Sequence, residues 1–258
     1  MRHILSFGLA VLLIVALGCA NDPLVKGNPV VDPPFDGSIF LDPDIVTEED
    51  PSSFESITSK GQGTRNVFDR RVDNWINIEA YLFDVKFDDG LSAEFQVNSE
   101  FGDMETAQAK AESYAFAVGQ LPTTLRTNVH EVTIHKGNMP FGGGTNGLLI
   151  HTEMSAEYEN AGILEETLIH EASHTSLDPI HATAAGWIAA QKNDPTFIST
   201  YAQEHPTRED VAETFLLYFA VSHRSDRLSA ELIQTINKAI PNRLKYLEQQ
   251  TWDLYPQE

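Results

Sequence analysis

The sequence predicts an α+β fold, with strands and one helix in its first half and helices through most of its second. Three observations carry this expectation. The stretch "AYLFDVKFDDGLSAEFQV" sets Asp89-Gly90 between two segments of alternating apolar residues, the pattern of a tight β-hairpin. "VHEVTIHKG" and "GLLIHTE" read as two further strands separated by the loop "NMPFGGGTN". After Glu153 the apolar spacing changes to the helical repeat and stays there.

From the N-terminus, Arg2 and His3 precede an apolar run, Ile4 to Leu17, that ends in "ALGC". A charged start, an apolar stretch short for a bilayer and a small residue at the end make a signal peptide over residues 1–18. The stretch resembles the lipobox of bacterial lipoproteins, in which cleavage precedes a cysteine that is then lipidated. By that resemblance Cys19 carries a lipid anchor, and Ala20 after it fits sorting to an outer membrane where the cell has one. Ala16 and Leu17 depart somewhat from the commonest form; the alternatives are an ordinary signal peptide cut near Ala20 and, second to it, a plain N-terminal transmembrane anchor. Each reading gives an exported protein of the cell envelope. Cys19 is the one cysteine of the chain, so no disulfide is available, and core burial, with or without a metal, must stabilise the fold.

Residues 19–64 are rich in Pro, Asp and Ser ("NDPLVKGNPVVDPPFDGS", "LDPDIVTEEDPSS") and read as an acidic extended tether, or as an arm that wraps the domain. The domain is expected over residues 65–258. It contains the hairpin, a helix from Met104 to Val118 on the spacing Met104, Ala107, Ala111, Tyr114, Ala115 and Val118, and the two strands. A helix capped by Asn160 is expected to run to about Leu177, where Pro179 stops it. Further helices are expected over 182–192, in "TFISTYA", from an N-cap at Thr207 through "VAETFLLYFAV", and from Ser229 to Gln249 with a break at Pro241. Against 38 acidic residues stand 17 basic ones, a formal charge of -21. A field of that sign repels phosphate backbones, so nucleic acid is not an expected partner.

The chemistry concentrates in "ETLIHEASHTSLD". His170 and His174 are four apart, so on a helix they share one face and can hold one ion. Zinc takes nitrogen and oxygen donors, and a catalytic zinc uses three protein ligands and water. Glu171 stands beside the first histidine, placed to take a proton from that water. His181 is a tempting third ligand, but the three-histidine metzincin pattern requires Gly where Leu177 stands and His where Ile180 stands, so His181 reads as an exposed loop residue. Downstream, Glu209 and Glu213 are again four apart, and spacing alone does not say which completes the zinc sphere. Asp210 points about 100° away from Glu209 and suits capping. Asp178 is placed either to orient a ligand imidazole or to end the helix. His130, His135, His151, His205 and His223 read as ordinary surface or strand histidines.

HExxH followed by a glutamate on a later helix resembles the gluzincin zinc metallopeptidases. "EDVAETF" is similar to the ExxAE segment of the lethal-factor type of peptidase, and "FISTYAQEHPTREDVAETF" to zinc-binding metallopeptidase lipoproteins of bacteria with a "YA…EDFAETF" pattern. Val211 stands where those relatives often have Phe. The resemblance spans roughly Leu164 to Phe219. It implies a zincin-like fold, a small mixed sheet with the active-site helix followed by a mainly helical C-terminal part. It also implies one Zn2+ per chain held by His170, His174 and Glu209, with Glu213 behind a ligand histidine. Tyr201, matching the tyrosine of "YA", would donate to an oxyanion or else pack between helices. An exposed edge strand would align an extended peptide, with "NGLLIHTE" as that strand or its neighbour. The expectation is a lipid-anchored metallopeptidase acting on peptides or proteins. The alternatives are a surface binding protein on the same scaffold, with structural zinc or no catalysis, and a zinc hydrolase of non-peptide amides.

Overall fold

The computed structural model describes residues 31–38 and 45–258; the expected signal peptide and Cys19 lie outside the described residues. Strands β1 (Phe54–Asp69) and β2 (Asn74–Phe87) form a long antiparallel hairpin whose turn sets Asp73 at φ +50°. β2 returns through Asp89 and Gly90 into β3 (Ser92–Asn98), antiparallel to it, as the alternating pattern predicts. Helix α1 (Met104–Gly119) follows, its N-cap Asp103 accepting a hydrogen bond from the Thr106 amide. A short α2 (Thr123–Arg126) leads to β4 (Glu131–His135), parallel to β3. The expected loop then contains a three-residue strand, β5 (Gly142–Gly144), antiparallel to β6 (Gly147–His151), while β6 runs parallel to β4. The result is one mixed six-stranded sheet in the order β1-β2-β3-β4-β6-β5, an α+β architecture with β5 at its edge.

Strand alternation assigns the two faces. Tyr81, Phe83, Val85, Phe95, Val97, Val132, Ile134, Leu148 and Ile150 point to the helical side, where Ala107, Ala111, Ala115 and Val118 of α1 meet Leu168, Ile169 and Ala172 in one core. The other face keeps a small apolar cluster of Val67, Ile78, Ala80 and Leu82 beneath the β1–β2 hairpin.

The rest is helical: α3 (Thr152–Ala161), α4 (Leu164–Ser176), α5 (Asp178–His181), α6 (Ala185–Asn193), α7 (Thr200–Glu204), α8 (Asp210–His223), α9 (Ala230–Ala239) and α10 (Pro241–Glu248). The break at Pro241 falls where the sequence puts it, with proline at the start of α10.

Four expectations change. Asn160 is no cap: it lies in the last turn of α3 and its side-chain amide donates to the Ala156 carbonyl, so HEASH sits on a separate helix that begins at Leu164. Thr207 does not cap α8 either; Glu209 holds the N-cap position, and Asp210 is fully buried against Arg243 rather than capping. The boundary at Arg65 falls inside β1, which starts at Phe54, and Ile45 and Val46 are core residues held by the Glu166 carboxylate, which accepts both of their amides. Residues 31–38 are therefore the arm of the two readings: Phe35 bridges Ser199, and its carbonyl accepts the Thr200 amide at 3.0 Å.

Candidate metal centre

Helix α4 carries His170 and His174 on one face because four residues span slightly more than one turn. Glu209, at the head of α8, meets them from the opposite side. His170 Nε2 and His174 Nε2 are 3.1 Å apart. Glu209 Oε2 lies 3.5 Å from the first and 3.2 Å from the second. A tetrahedral ion with metal–ligand bonds of about 2.0–2.1 Å sets its ligands about 3.3 Å apart. The three donor atoms thus already have the edge lengths of a tetrahedral face, and this buried trio can hold a metal ion. Glu213 is the other glutamate of the pair, and its Oε1 lies 3.7 Å from His170 Nδ1, behind the imidazole.

His174 and Glu209 are hydrogen-bonded from their far sides, as residues that hold a metal characteristically are, while Glu213 stands behind His170. His174 Nδ1 hydrogen-bonds Asp178 Oδ2 at 2.7 Å, which leaves Nε2 for the centre. Glu213 is fully buried and accepts from Ser199 Oγ at 2.9 Å and from Ser38 Oγ. Glu209 divides its oxygens: Oε2 faces the histidines, while Oε1 accepts from Tyr201 Oη at 3.1 Å and Arg208 Nε at 2.9 Å. The Tyr201 hydroxyl is thereby committed to the ligand carboxylate. Asp178, Glu213 and Tyr201 are brought to the site; His181 is not. It is buried in α5 and hydrogen-bonded to Tyr246 Oη at 2.8 Å, so the expected exposed loop residue is instead part of the packing. His135 and His151 are strand histidines, as expected, closing β4 and β6, and both are fully buried.

The electrostatics follow from burial and close charges. Burial works against a charged His174, yet hydrogen bonds to Asp178 and Glu209 outweigh it and push the imidazole up to about 10. Burial would raise Glu209, but the two histidines hold its carboxyl well below the usual range. Burial, reinforced by the Glu209 charge, raises the Tyr201 phenol and keeps it a donor. The protein has thus gathered negative charge around a point that attracts a cation, and a proton and a metal ion compete for it.

Glu171 follows His170 on α4 and is half-buried. Its carboxylate makes no hydrogen bond among the described residues, and its charge reaches His174 and the Tyr158 phenol on α3. Above it lies β5, packed so closely that a Cβ on Gly143 would stand 1.8 Å from the Glu171 carbonyl oxygen. Glycine is required there by contact, not by backbone torsion. Thr175 ties strand to helix by accepting from the Gly144 amide and donating to the Gly147 carbonyl, both at 3.0 Å. "GLLIH" is accordingly the neighbour of the edge strand, and the glycines of the expected loop form the edge itself.

Ser38, Ser199, Arg208 and Gly143 escape a reading of motifs. Ser199 alone leaves a local trace, as the N-cap whose hydroxyl accepts from the Ala202 amide. No known family, curated protein or solved structure matches the chain.

Proposed function

We propose that the protein is a zinc-dependent peptidase, exported and lipid-anchored through Cys19. The observation that carries the reading is the spacing of the His170, His174 and Glu209 donor atoms, with the Glu171 carboxylate unengaged beside them. Two imidazoles and one carboxylate are a donor set that suits zinc and leaves a coordination position open for water or substrate. Zinc, when bound, supplies a Lewis acid for a carbonyl oxygen and brings the pKa of coordinated water to about 7.

The chain's own residues account for the rest. An extended peptide pairs with β5 along the sheet edge, which brings its scissile carbonyl over α4. Glu171 accepts a proton as the water oxygen bonds to the carbonyl carbon, and returns it to the amine nitrogen as the C–N bond breaks. Asp178 orients the His174 imidazole, Glu213 stands behind that of His170, and Tyr201 and Arg208 hold Glu209, so the donors are largely positioned before binding. A surface binding protein on the same scaffold would keep the trio but have no use for an unengaged Glu171.

The deciding variant is Glu171→Gln in the full chain. Metal content should stay at the wild-type level while hydrolysis of a peptide library falls by a factor of 10² or more, the scale of a lost general base. Hydrolysis persisting in a variant free of contaminating activity removes Glu171 from the role.

A further inference from the structure

The geometry points to Arg70 as a specificity-determining residue that receives a substrate carboxylate in the cavity above β5; the inference rests on the peptidase reading of the neighbouring centre. The cavity, of about 330 Å³, lies on the sheet face turned away from α4. The tip of the β1–β2 hairpin walls it with Phe68, Arg70 and Trp75; Thr133 and Leu149 form the floor, and Gly142 of β5 closes the side toward the metal centre.

Arg70 stands apart from the other described arginines. Each of those donates hydrogen bonds to the protein: Arg65 to Glu94, Arg71 to Asp69 and Glu100, Arg126 to Asp89, Arg208 to Glu209, Arg224 to Gln257, Arg227 to Asp50, Arg243 to Asp194 and Asp210. Arg70 makes no hydrogen bond or ion pair among the described residues, and its Nε is buried without a partner. In a chain of charge -21, acidic partners for a surface arginine are plentiful. A half-buried guanidinium whose Nε is cut off from water and from every acid carries an uncompensated part of its hydration cost, which a bound anion would offset.

Its position links it to the centre. A Cβ on Gly142 would stand 3.0 Å from a terminal nitrogen of Arg70 and 3.4 Å from Nε, so the guanidinium lies over the glycine backbone of the edge strand. The Arg70 charge is felt by the Tyr158 phenol, which also feels Glu171. A peptide paired with β5 turns alternate side chains to the two faces of the sheet. Those facing α4 enter the metal centre; those facing away meet the cavity, where the glycine strand puts no side chain in their path. A carboxylate there accepts the guanidinium fork, and Trp75, exposed and edge-on to Phe68 at 6.0 Å, covers the aliphatic part of that residue. Of the two acids near the cavity, Glu131 is engaged by Gln96 Nε2 at 2.8 Å and Asp73 is exposed on the hairpin turn.

The test uses the full chain loaded with zinc and paired peptides that differ only as Glu against Gln, the pair being moved along the sequence, each with a free or an amidated C-terminus. At one position the carboxylate should raise kcat/KM roughly tenfold or more, the scale of a charge-assisted hydrogen bond. The ratio should fall to about one in Arg70→Gln, fall below one in Arg70→Glu, and lie between in Arg70→Lys, which keeps the charge but not the fork. Loss of the preference on amidation assigns the carboxylate to the chain end; its survival assigns it to a side chain. Affinities of the same peptides for Glu171→Gln separate the two claims. If no peptide is cleaved but binding still shows the Arg70-dependent ratio, the peptidase reading fails and the carboxylate site stands. If peptides are cleaved with no acidic preference, or with one that survives Arg70→Gln, the role of Arg70 is overturned.

Discussion

At the residue scale, the centre depends on residues outside the His170, His174 and Glu209 trio. Gly143 is the sharpest case: its missing Cβ lets β5 lie against the α4 backbone at Glu171. Gly143→Ala must push strand and helix apart, which should cost about 1–3 kcal/mol or more, read as a lower denaturation midpoint at unchanged slope. On the proposed peptidase reading it should also impair hydrolysis, by displacing the edge that would pair with a peptide. HEASH was legible because two histidines one turn apart need only a helix. Glu209 required the resemblance, because spacing treats Glu209 and Glu213 alike. The structure separates them by position: Glu209 stands at the head of α8 with an oxygen toward both histidines, while Glu213, one turn further in, is sealed behind His170 by two serines.

At the scale of elements, α8 must present Glu209 in register with α4. A buried ion cluster anchors its first turn: Arg243 of α10 donates to Asp210 and to Asp194, each at 2.9 Å, with all three side chains fully buried. Burial pushes Asp210 up to about 6, against the pull of Arg243. Removing one member leaves the others charged and dry, so Arg243→Met should destabilise the protein by about 3–5 kcal/mol in denaturant unfolding. Local spacing suits Asp210 to capping, because its partner Arg243 lies on another helix, which no local pattern signals. The same limit explains β5, whose glycines have no alternation to read, and β1, whose many Ser, Thr and Gly positions are polar because it is the exposed outer strand. By contrast the Asp89-Gly90 hairpin, α1 and the break at Pro241 are set by neighbours in the chain and were legible.

At the scale of the whole molecule, the N-terminal arm and the domain are one folding problem. Glu166, inside α4, binds the amides of Ile45 and Val46, and burial pushes its carboxyl up to about 7. A raised carboxyl keeps its proton in the folded state while the unfolded chain loses it near the ordinary value of 4.5, so this group's contribution to stability falls between about pH 4.5 and 7. Glu166→Gln keeps an acceptor for both amides without the charge. Its stability relative to wild type should rise between pH 5 and pH 8 by an amount on the order of a few kcal/mol, read from chemical denaturation at the two values. His151 works in the opposite direction: burial lowers it to about 4, so its contribution is lost as pH falls from 6.5 toward 4. Comparing each variant with wild type at matched pH isolates the Glu166 effect. The proposed function requires a metal at His170, His174 and Glu209. The most direct measurement is the zinc content and affinity of the full chain, as wild type and as Glu209→Ala and Glu213→Ala. About one zinc per chain is predicted, with Glu209→Ala losing far more affinity than Glu213→Ala, whose loss should stay within the 10–100-fold typical of a residue that only orients a ligand. A wild-type chain that folds in the presence of zinc and holds none would contradict the account.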